Sequence, residues 1–191
     1  MTKVVCILGS PREAGNSDLL AKRFCDAARV HGATTRTHAL RDLRFQGYSP
    51  ARSGEGPYGP DDDLGPVLSD VETADVVVLA TPVYFCNITG LAKQALDRFF
   101  CFMKPDYLTN PDPSRLGREK TLVMIQVQGE GADRYDDLME QYAPGLDKVG
   151  FARRDLLRAC GVREPGEVMK QVALLEQSDR LARSLALCKE R

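Results

Sequence analysis

The sequence predicts a single doubly wound α/β domain over residues 1–191, built on a parallel sheet of five strands. Short apolar runs rich in β-branched residues alternate with longer amphipathic stretches, the pattern of strands joined by crossover helices. The length of 191 residues suits one domain. Because 43% of the residues are hydrophobic and 28% are charged, close to globular averages, the chain can form a sizeable core.

The first predicted elements are a strand, a helix and a second strand. The strand covers 3–8 and is nearly continuous in apolar character, as expected for a strand buried on both faces. A helix follows from about Ser17 to Val30, with Asn16 or Ser17 as its N-cap. The second strand, over 34–40, is more polar, which suits an edge position.

The segment from Arg44 to Pro60 is dense in glycine, proline and serine, so we expect an extended surface loop. Long loops are uncommon in compact domains unless they cover a site or move, which makes this one a candidate lid or partner contact. A solvated insertion is an equally good interpretation. A helix is predicted over 62–73, with an acidic first turn that the helix dipole favours.

The rest of the chain repeats the alternation of strand and helix. Connections of this length are right-handed crossovers, so ligands are expected at the carboxyl ends of the strands, where the strand order reverses. The remaining predicted elements are strands over 75–80, 120–127 and 151–159, and helices over 88–102, over 132–148 with a break near Pro144 and Gly145, and within 165–188.

Charge and hydropathy exclude several classes of function. The formal net charge of −1 gives no global positive field that would attract nucleic acid or an anionic membrane surface. The sequence has no apolar run of the roughly 18 residues that a membrane span needs, and it does not open with a signal-peptide pattern. We therefore expect a cytoplasmic protein without nucleic-acid or membrane partners.

The cysteines and histidines do not indicate a metal site. Six cysteines are scattered without C-x-x-C spacing, so we expect reduced, mostly buried thiols rather than disulfides or a zinc site. His31 and His38 are the only histidines, which makes a histidine-based metal centre unlikely to explain catalysis.

The loop from Gly9 to Ser17 joins a buried strand to the start of a helix. Free backbone N–H groups and the helix dipole favour an anion there, while Ser10, Asn16 and Ser17 add donors and Arg12 adds positive charge. The loop matches neither G-x-G-x-x-G nor the P-loop pattern, so a monophosphate is favoured. The alternative is an ordinary turn capped by Asn16.

The loop over 81–87 places two aromatic side chains, Tyr84 and Phe85, where a buried strand emerges, and Asn87 or Thr89 then caps a helix. Exposed aromatic rings at this place indicate a flat apolar ligand. The alternative is that both rings pack into the core or under the long loop.

A third loop, Gln128 to Gly131, follows the fourth strand, and its glycines allow a ligand to approach the backbone closely. Alone it is weak evidence. Because the carboxyl ends of parallel strands lie at one edge of a sheet, we expect all three loops to converge on one site.

With these residues in place, the chain resembles the flavodoxin-like NAD(P)H-dependent FMN reductases, most closely the branch that contains the iron–sulfur flavoproteins. The likeness lies in GSPREAGNS at 9–17, TPVYFCNITGLAKQALDRF at 81–99 and, loosely, GVREPGEV at 161–168, and it runs over nearly the whole chain. It implies a flavodoxin-like sheet of order 2-1-3-4-5 and FMN as cofactor. It also implies that Ser10, Arg12, Asn16 and Ser17 hold the FMN phosphate, that Pro82, Val83, Tyr84, Phe85 and Asn87 line the isoalloxazine ring and ribityl chain, and that Gln128 and Gly129 lie near the ring from the other side.

One departure from that branch concerns the segment over 43–65. In the iron–sulfur flavoproteins this segment carries the cysteines that bind a [4Fe–4S] cluster, whereas here it contains no cysteine. Since thiolates are the ligands of such a cluster, we predict that the protein carries flavin and no iron–sulfur cluster.

The resemblance implies hydride transfer from NAD(P)H to FMN and then to a quinone, azo, nitro, flavin or metal acceptor. No side chain has to act as an acid or base, so no catalytic residue is assigned. Arg12 and Tyr84 are the nearest candidates for contacting the nicotinamide nucleotide or the acceptor. The alternatives are a non-enzymatic electron carrier of the flavodoxin type, which would normally be strongly acidic, and an FMN-free binding module.

A homodimer is the expected assembly, both from the resemblance and from the four aromatic residues between positions 99 and 107, which exceed what one helix needs for its core. The alternative is that these rings close over the sheet. Lys93, Asp97 and Arg98 lie at helical spacing and are expected to form a surface ion pair or a dimer contact rather than to act in catalysis.

Overall fold

A parallel sheet runs through the middle of the molecule in the computed structural model, which describes residues 1–117 and 120–188. The spatial order is β2-β1-β3-β5-β6, with the short β4 paired antiparallel to β3. Counted among the parallel strands alone, this is the predicted order 2-1-3-4-5, and the flavodoxin-like fold is confirmed. The strands are β1 Lys3–Leu8, β2 Thr34–Ala39, β3 Val76–Tyr84, β4 Asn87–Ile88, β5 Thr121–Val127 and β6 Arg153–Ala159.

Helices cover both faces of the sheet. The first and last helices share one hydrophobic core with one face of the strands, and the other three pack on the opposite face. Alternate residues of β3 enter the two cores, because successive side chains of a strand point to opposite faces. The helices are α1 Asn16–Val30, α2 Leu64–Thr73, α3 Gly90–Asp97, α4 Leu138–Val149 and α5 Val172–Ala186.

The predicted loop over 81–87 is in fact a β-hairpin. β3 continues past residue 80 and stays paired with β5 as far as Pro82, opposite Val127. The chain reverses at Phe85 and Cys86, whose φ angles of 49° and 64° lie in the left-handed region, and it returns as β4. The strand therefore carries its terminal residues to the edge of the sheet on a rigid support.

The starts of two helices differ from the sequence prediction, and the cap of a third agrees with it. The N-cap of α1 is Gly15, without a side-chain cap, rather than Asn16 or Ser17. The acidic cluster lies before α2 and not in its first turn, and Asp62 accepts a hydrogen bond from the Leu64 N–H at 3.2 Å. Thr89, one of the two predicted caps of α3, accepts from the Ala92 N–H.

Helix α4 begins at Leu138, later than predicted, and it runs through Pro144 and Gly145 without the expected break. Both residues are exposed. A carbonyl that loses its helical partner at the proline can then bind water, so the helix tolerates the residue. The predicted helix over 88–102 divides into α3 and a 3₁₀ turn over Arg98–Phe102.

The expectation that Arg98 forms a surface ion pair or a dimer contact is wrong, since its side chain is only 1% exposed. The guanidinium pairs with Asp62 at 2.8 Å and donates to the carbonyl oxygens of Gln46 at 2.9 Å and Tyr58 at 2.6 Å. It therefore holds the loop over 44–60 against the 3₁₀ turn. Lys93 and Asp97 do form the expected exposed ion pair, at 2.5 Å.

The aromatic residues between positions 99 and 107 lie partly in the core and partly at the surface. Phe99 and Phe102 are buried and close over the sheet, as the alternative interpretation expected, whereas Phe100 remains 38% exposed and packs against Tyr48 and Tyr107. The homodimer itself remains a prediction.

The six cysteines are free thiols, but they are not mostly buried as predicted. Cys6 and Cys25 are buried, Cys101 and Cys160 are intermediate, and Cys86 and Cys188 are exposed. Over residues 1–117 and 120–188, no helix is long and apolar enough to cross a membrane.

Candidate functional site

A pocket of about 240 Å³ lies at the carboxyl edge of the sheet. It is formed by the loop after β1 with the start of α1, by the end of β3 and by the loops after β5 and β6. Eight of the eleven predicted site residues line it together. The lining residues are Ser10, Arg12, Gly15, Asn16, Ser17, Pro82, Val83, Tyr84, Val127, Gly129, Val162 and Arg163.

One end of the pocket is suited to an anion. The Ser10 hydroxyl accepts from the Arg12 N–H and donates to the Arg12 carbonyl, each at 3.1 Å, which fixes the loop as it enters α1. Because the N-cap of α1 is Gly15, no capping side chain accepts hydrogen bonds from the first N–H groups of the helix. Arg12 is exposed, and within the described part of the chain its guanidinium has no carboxylate partner. Positive charge and free donors therefore face this end.

Arg41 supports the same loop from beneath and was not identified from the sequence. Its guanidinium pairs with Asp18 at 2.9 Å and donates to the Ser10 carbonyl at 3.3 Å. Burial raises the pKa of Asp18, and the nearby guanidinium of Arg41 opposes that rise. Arg41 follows β2, a strand away from the loop, so no local sequence pattern connects the two.

Asn16 reaches the pocket, but its side chain also serves as a structural link. Its amide N–H donates to the Glu164 carbonyl at 2.9 Å, and its amide oxygen accepts from the Val168 N–H at 3.2 Å. The start of α1 is thereby joined to the loop that follows β6. The predicted phosphate contact of Asn16 therefore has to come from its remaining amide hydrogen or its backbone N–H.

The other end of the pocket is more apolar. Pro82, Val83 and Tyr84 line it from the end of β3, and Tyr84 is 45% exposed. Phe85 and Asn87 do not line it. Phe85 is fully exposed at the tip of the hairpin, and the Asn87 amide oxygen accepts hydrogen bonds from the Tyr142 hydroxyl and from the Ile88 N–H.

Gln128 is buried beneath the pocket instead of lining it. Its amide donates to the carbonyl oxygens of Gly131 at 2.7 Å and Arg134 at 2.8 Å, and it accepts from the Gln126 amide at 2.7 Å. The two glutamines fix the shape of the loop after β5, which presents Gly129 to the pocket. The carbonyl oxygens of Gly131 and Arg134 bond to Gln128 and not to helical N–H groups, and α4 begins only at Leu138.

The loop after β6 supplies a wall that sequence reasoning missed. The Gly161 N–H donates to the Glu130 carbonyl at 2.8 Å, and the Val162 N–H donates to the Gln128 carbonyl at 3.1 Å. These bonds attach the loop to its neighbour and place Arg163 beside Gly129. The segment GVREPGEV at 161–168 carries the family resemblance only loosely, and its sequence does not indicate a role at the site.

The residues present fit a phosphate monoester that carries a planar ring. Serine hydroxyls, Arg12 and the start of α1 are donors for a phosphate, while Val83 and Tyr84 offer apolar surface to a ring. A Cβ at Gly129 would lie 3.0 Å from the Arg163 Cγ, so the Arg163 side chain would have to shift by a few tenths of an ångström to admit one. Within residues 1–117 and 120–188, no group of three or more histidine, cysteine, aspartate or glutamate side chains could hold a metal ion.

Comparison with known proteins gives a family match. The family described as "NADPH-dependent FMN reductase" matches residues 2–147, which include the loops after β1, β3 and β5 but not the loop after β6. An iron–sulfur flavoprotein of Methanocaldococcus jannaschii, MJ1083, is 32% identical over 99 residues, a match that spans 50% of this chain and 51% of that protein. The match therefore covers about half the length of that relative.

Two further likenesses extend over almost the whole chain. YwqN of Bacillus subtilis, whose name describes an NAD(P)H-dependent FMN-containing oxidoreductase, is 23% identical over 94% of this chain and 96% of that protein. The structure of an FMN-dependent NADH-azoreductase from Bacillus anthracis, in complex with FMN, has a TM-score of 0.73 with 17% identity and covers 97% of this chain and 100% of that one. At that identity the structural likeness shows the fold alone.

Proposed function

Since this chain belongs to the NADPH-dependent FMN reductase family, we propose that it binds one FMN in the pocket at the carboxyl edge of the sheet. It uses NAD(P)H to reduce a small-molecule acceptor. The observation that carries the proposal is the pocket itself, because phosphate donors and an apolar wall lie at its two ends.

FMN supplies the hydride chemistry when it is bound, and the side chains supply position and charge. Ser17 and Arg12 would hold the phosphate in front of α1, and Ser10 would join them once its hydroxyl turns from the Arg12 carbonyl. Arg41 keeps that loop in place through the Ser10 carbonyl and Asp18. Val83 and Tyr84 lie along the ring. The predicted contacts of Phe85 and Asn87 require the hairpin tip to close over the ligand, because neither lines the pocket as it stands.

We place the acceptor among small redox-active aromatic compounds, with quinones and azo compounds first. The Bacillus anthracis protein with a similar structure is described as an FMN-dependent NADH-azoreductase. Tyr84, 45% exposed at the mouth of the pocket, offers a flat surface on which an aromatic acceptor or the nicotinamide ring can stack.

The test is anaerobic reduction of the purified full chain loaded with FMN. NADH and NADPH are added separately, and loss of the yellow flavin absorbance is followed, before a quinone or an azo dye is supplied to restore it. We expect bleaching by a nicotinamide nucleotide and recovery with the acceptor. An electron carrier of the flavodoxin type would stay yellow with both nucleotides, and an FMN-free module would not retain flavin.

The phosphate end is tested by Arg12→Gln. Loss of a charged hydrogen bond, worth about 1.5–3 kcal/mol, should weaken FMN binding by roughly tenfold or more while riboflavin, which has no phosphate, is little affected. Arg180→Gln is the matched control, because this arginine is exposed on α5 and does not line the pocket. Equal effects on FMN and riboflavin would contradict the assignment of Arg12 to the phosphate.

A further inference from the structure

Arg163 stands at the wall of the pocket that Gly129 forms. Its Nε donates to the Gly129 carbonyl at 3.4 Å, and its Cγ and Nε would lie 3.0 and 3.2 Å from a Cβ at that glycine. The stem of the side chain therefore lies across Gly129. The long hydrogen bond is weak, so the guanidinium retains most of its donors.

The backbone that carries Arg163 is fixed at several points. The Glu167 carboxylate accepts from the N–H groups of Arg163 at 2.8 Å and Glu164 at 3.0 Å, which closes a tight turn. These two bonds also lower the pKa of Glu167, so its carboxylate is ionised at neutral pH. On either side, Val162 bonds to the loop after β5 and the Glu164 carbonyl accepts from Asn16.

The Arg163 side chain, in contrast, is exposed, and in the described ranges it makes no ion pair with a carboxylate. Glu167 faces the backbone of Arg163 and not its guanidinium. The backbone of Arg163 is therefore fixed, while its guanidinium makes no ion pair in the described part of the chain. Because an exposed cation contributes little to stability, this arrangement favours a role in binding a ligand.

The phosphate end already has a cation of its own. Arg12, two serine hydroxyls and the start of α1 suffice for one phosphate group, which carries about two negative charges at neutral pH. Arg163 is a second cation, and it lies at the Gly129 wall, where the ring is expected. The charge that changes during the reaction is on the ring, because reduced flavin carries negative charge at N1 and O2.

We propose that the Arg163 guanidinium contacts the N1–O2 edge of the flavin and binds the reduced cofactor more tightly than the oxidised one. This inference rests on the proposed function, because it requires FMN in this pocket. It makes Arg163 a residue that sets the reduction potential and not a ligand of the phosphate. Val162 and Arg163 lie beyond residues 2–147, the region that the family model matches.

The experiment measures the dissociation constant of oxidised FMN and the two-electron midpoint potential of bound FMN in the full chain. For Arg163→Gln we expect reduced FMN to lose about tenfold more affinity than oxidised FMN, which lowers the midpoint potential by about 30 mV. Arg163→Lys keeps the charge and should recover part of the shift. Arg12→Gln is the control, because the phosphate has the same charge in both redox states, so both affinities should fall together and the potential should stay unchanged.

An Arg163→Gln variant that keeps the wild-type potential would overturn the inference, whether its affinity for FMN stays unchanged or falls equally for both redox states. The second result would assign Arg163 to the phosphate instead. If the wild-type chain binds no FMN, the proposed function fails together with this inference, a result that differs from either outcome in the variant. Thermal unfolding of each variant shows whether the fold is retained, which we expect because the side chain is exposed.

Discussion

The six thiols differ in their surroundings. Cys101 is partly enclosed by the 3₁₀ turn, and burial raises its pKa to about 11, against the opposing charges of Arg115 and Arg98. Cys86 stands exposed at the hairpin tip, with its Sγ 3.5 Å from the Tyr135 hydroxyl. Reactivity should therefore differ strongly between thiols of the same chain.

Iodoacetamide at about pH 8 should modify Cys86 and Cys188 first and leave Cys101 largely intact. The thiolate is the reacting species, and at that pH Cys101 is almost entirely protonated. Peptide mass spectrometry after timed labelling measures the three rates. The labelling rate of Cys101 should rise only as the pH nears 11, and modification of Cys101 as fast as Cys86 at pH 8 would contradict the assignment.

The same shift has a consequence for stability. The folded state favours the neutral Cys101 thiol, whereas the unfolded thiol ionises near its ordinary pKa of 9.0. The contribution of this thiol is therefore complete below about pH 9 and is lost as the pH rises toward 11. Cys101→Ala should flatten the dependence of unfolding free energy on pH in that window.

At the scale of elements, Arg98 decides the form of the loop over 44–60. A guanidinium can reach several carbonyl groups at once, and here it serves Gln46, Tyr58 and the Asp62 carboxylate. No residue of this loop lines the pocket, so its position does not support a lid, which is one of the interpretations that the sequence leaves open.

Arg98→Lys should destabilise the protein by about 3 kcal/mol, because an ammonium group cannot replace the planar fork and a buried pair is broken. Limited proteolysis should then cut within 44–60 faster than in the wild type. Lys93→Ala is the matched control: it removes an exposed ion pair on the same helical segment and should cost less than about 1 kcal/mol. Equal stability of the two variants would refute the assigned role of Arg98.

The elements that were predictable are those with a local signal. Each parallel strand is a short apolar run, and its place in the sheet follows from the crossover rule. The hairpin was missed because Pro82 argues against a strand interior. The role of Arg98 is not predictable, because its carbonyl and carboxylate partners lie 36 to 52 positions away in the chain, which no periodicity can show.

In the candidate site, too, the predictable residues are those with a local sequence signal. The loop after β1 and the first turn of α1 contain Ser10, Arg12 and Ser17, so the sequence alone predicts that they meet at the start of a helix. Arg41, Gln126 and Arg163 act through tertiary contacts with the loops, and a sequence gives no sign of which backbone groups need support. Gln128 was identified as a site residue, but it shapes the loop from beneath.

At the scale of the whole molecule, a groove of about 310 Å³ lies between α3 and α4, and we propose it as part of the interface of the predicted homodimer. Leu96, Phe99, Phe100 and Met103 line one side of it, and Leu146 and Val149 the other. The predicted homodimer should have twice the 21.1 kDa mass of the chain in sedimentation equilibrium.

Gly145→Glu should shift that mass toward the monomer, because it places a charge in the groove. Gly145 lines the groove, and a Cβ there would meet no atom within 4 Å, so the fold should tolerate the side chain. Gly65→Glu is the matched control on α2, where a Cβ also meets nothing. A wild-type chain that sediments as a monomer would refute the predicted dimer.

Iron analysis tests the prediction of a cluster-free flavoprotein. The segment over 43–65 contains no cysteine, and its loop is held by Arg98 rather than by thiolates. We expect the purified protein to contain flavin without stoichiometric iron or acid-labile sulfide. A brown protein with both elements in stoichiometric amounts would contradict this expectation.

The hydrogen bonds that join Asn16 to Glu164 and Val168 also affect when the pocket can form during synthesis. The loop after β1 is translated well before the two backbone groups to which the Asn16 amide is hydrogen-bonded, which lie 148 and 152 positions later in the chain. A nascent chain that ends at α4 lacks one wall of the cavity. We therefore expect the pocket to take its full shape only after β6 and the loop that follows it have been translated.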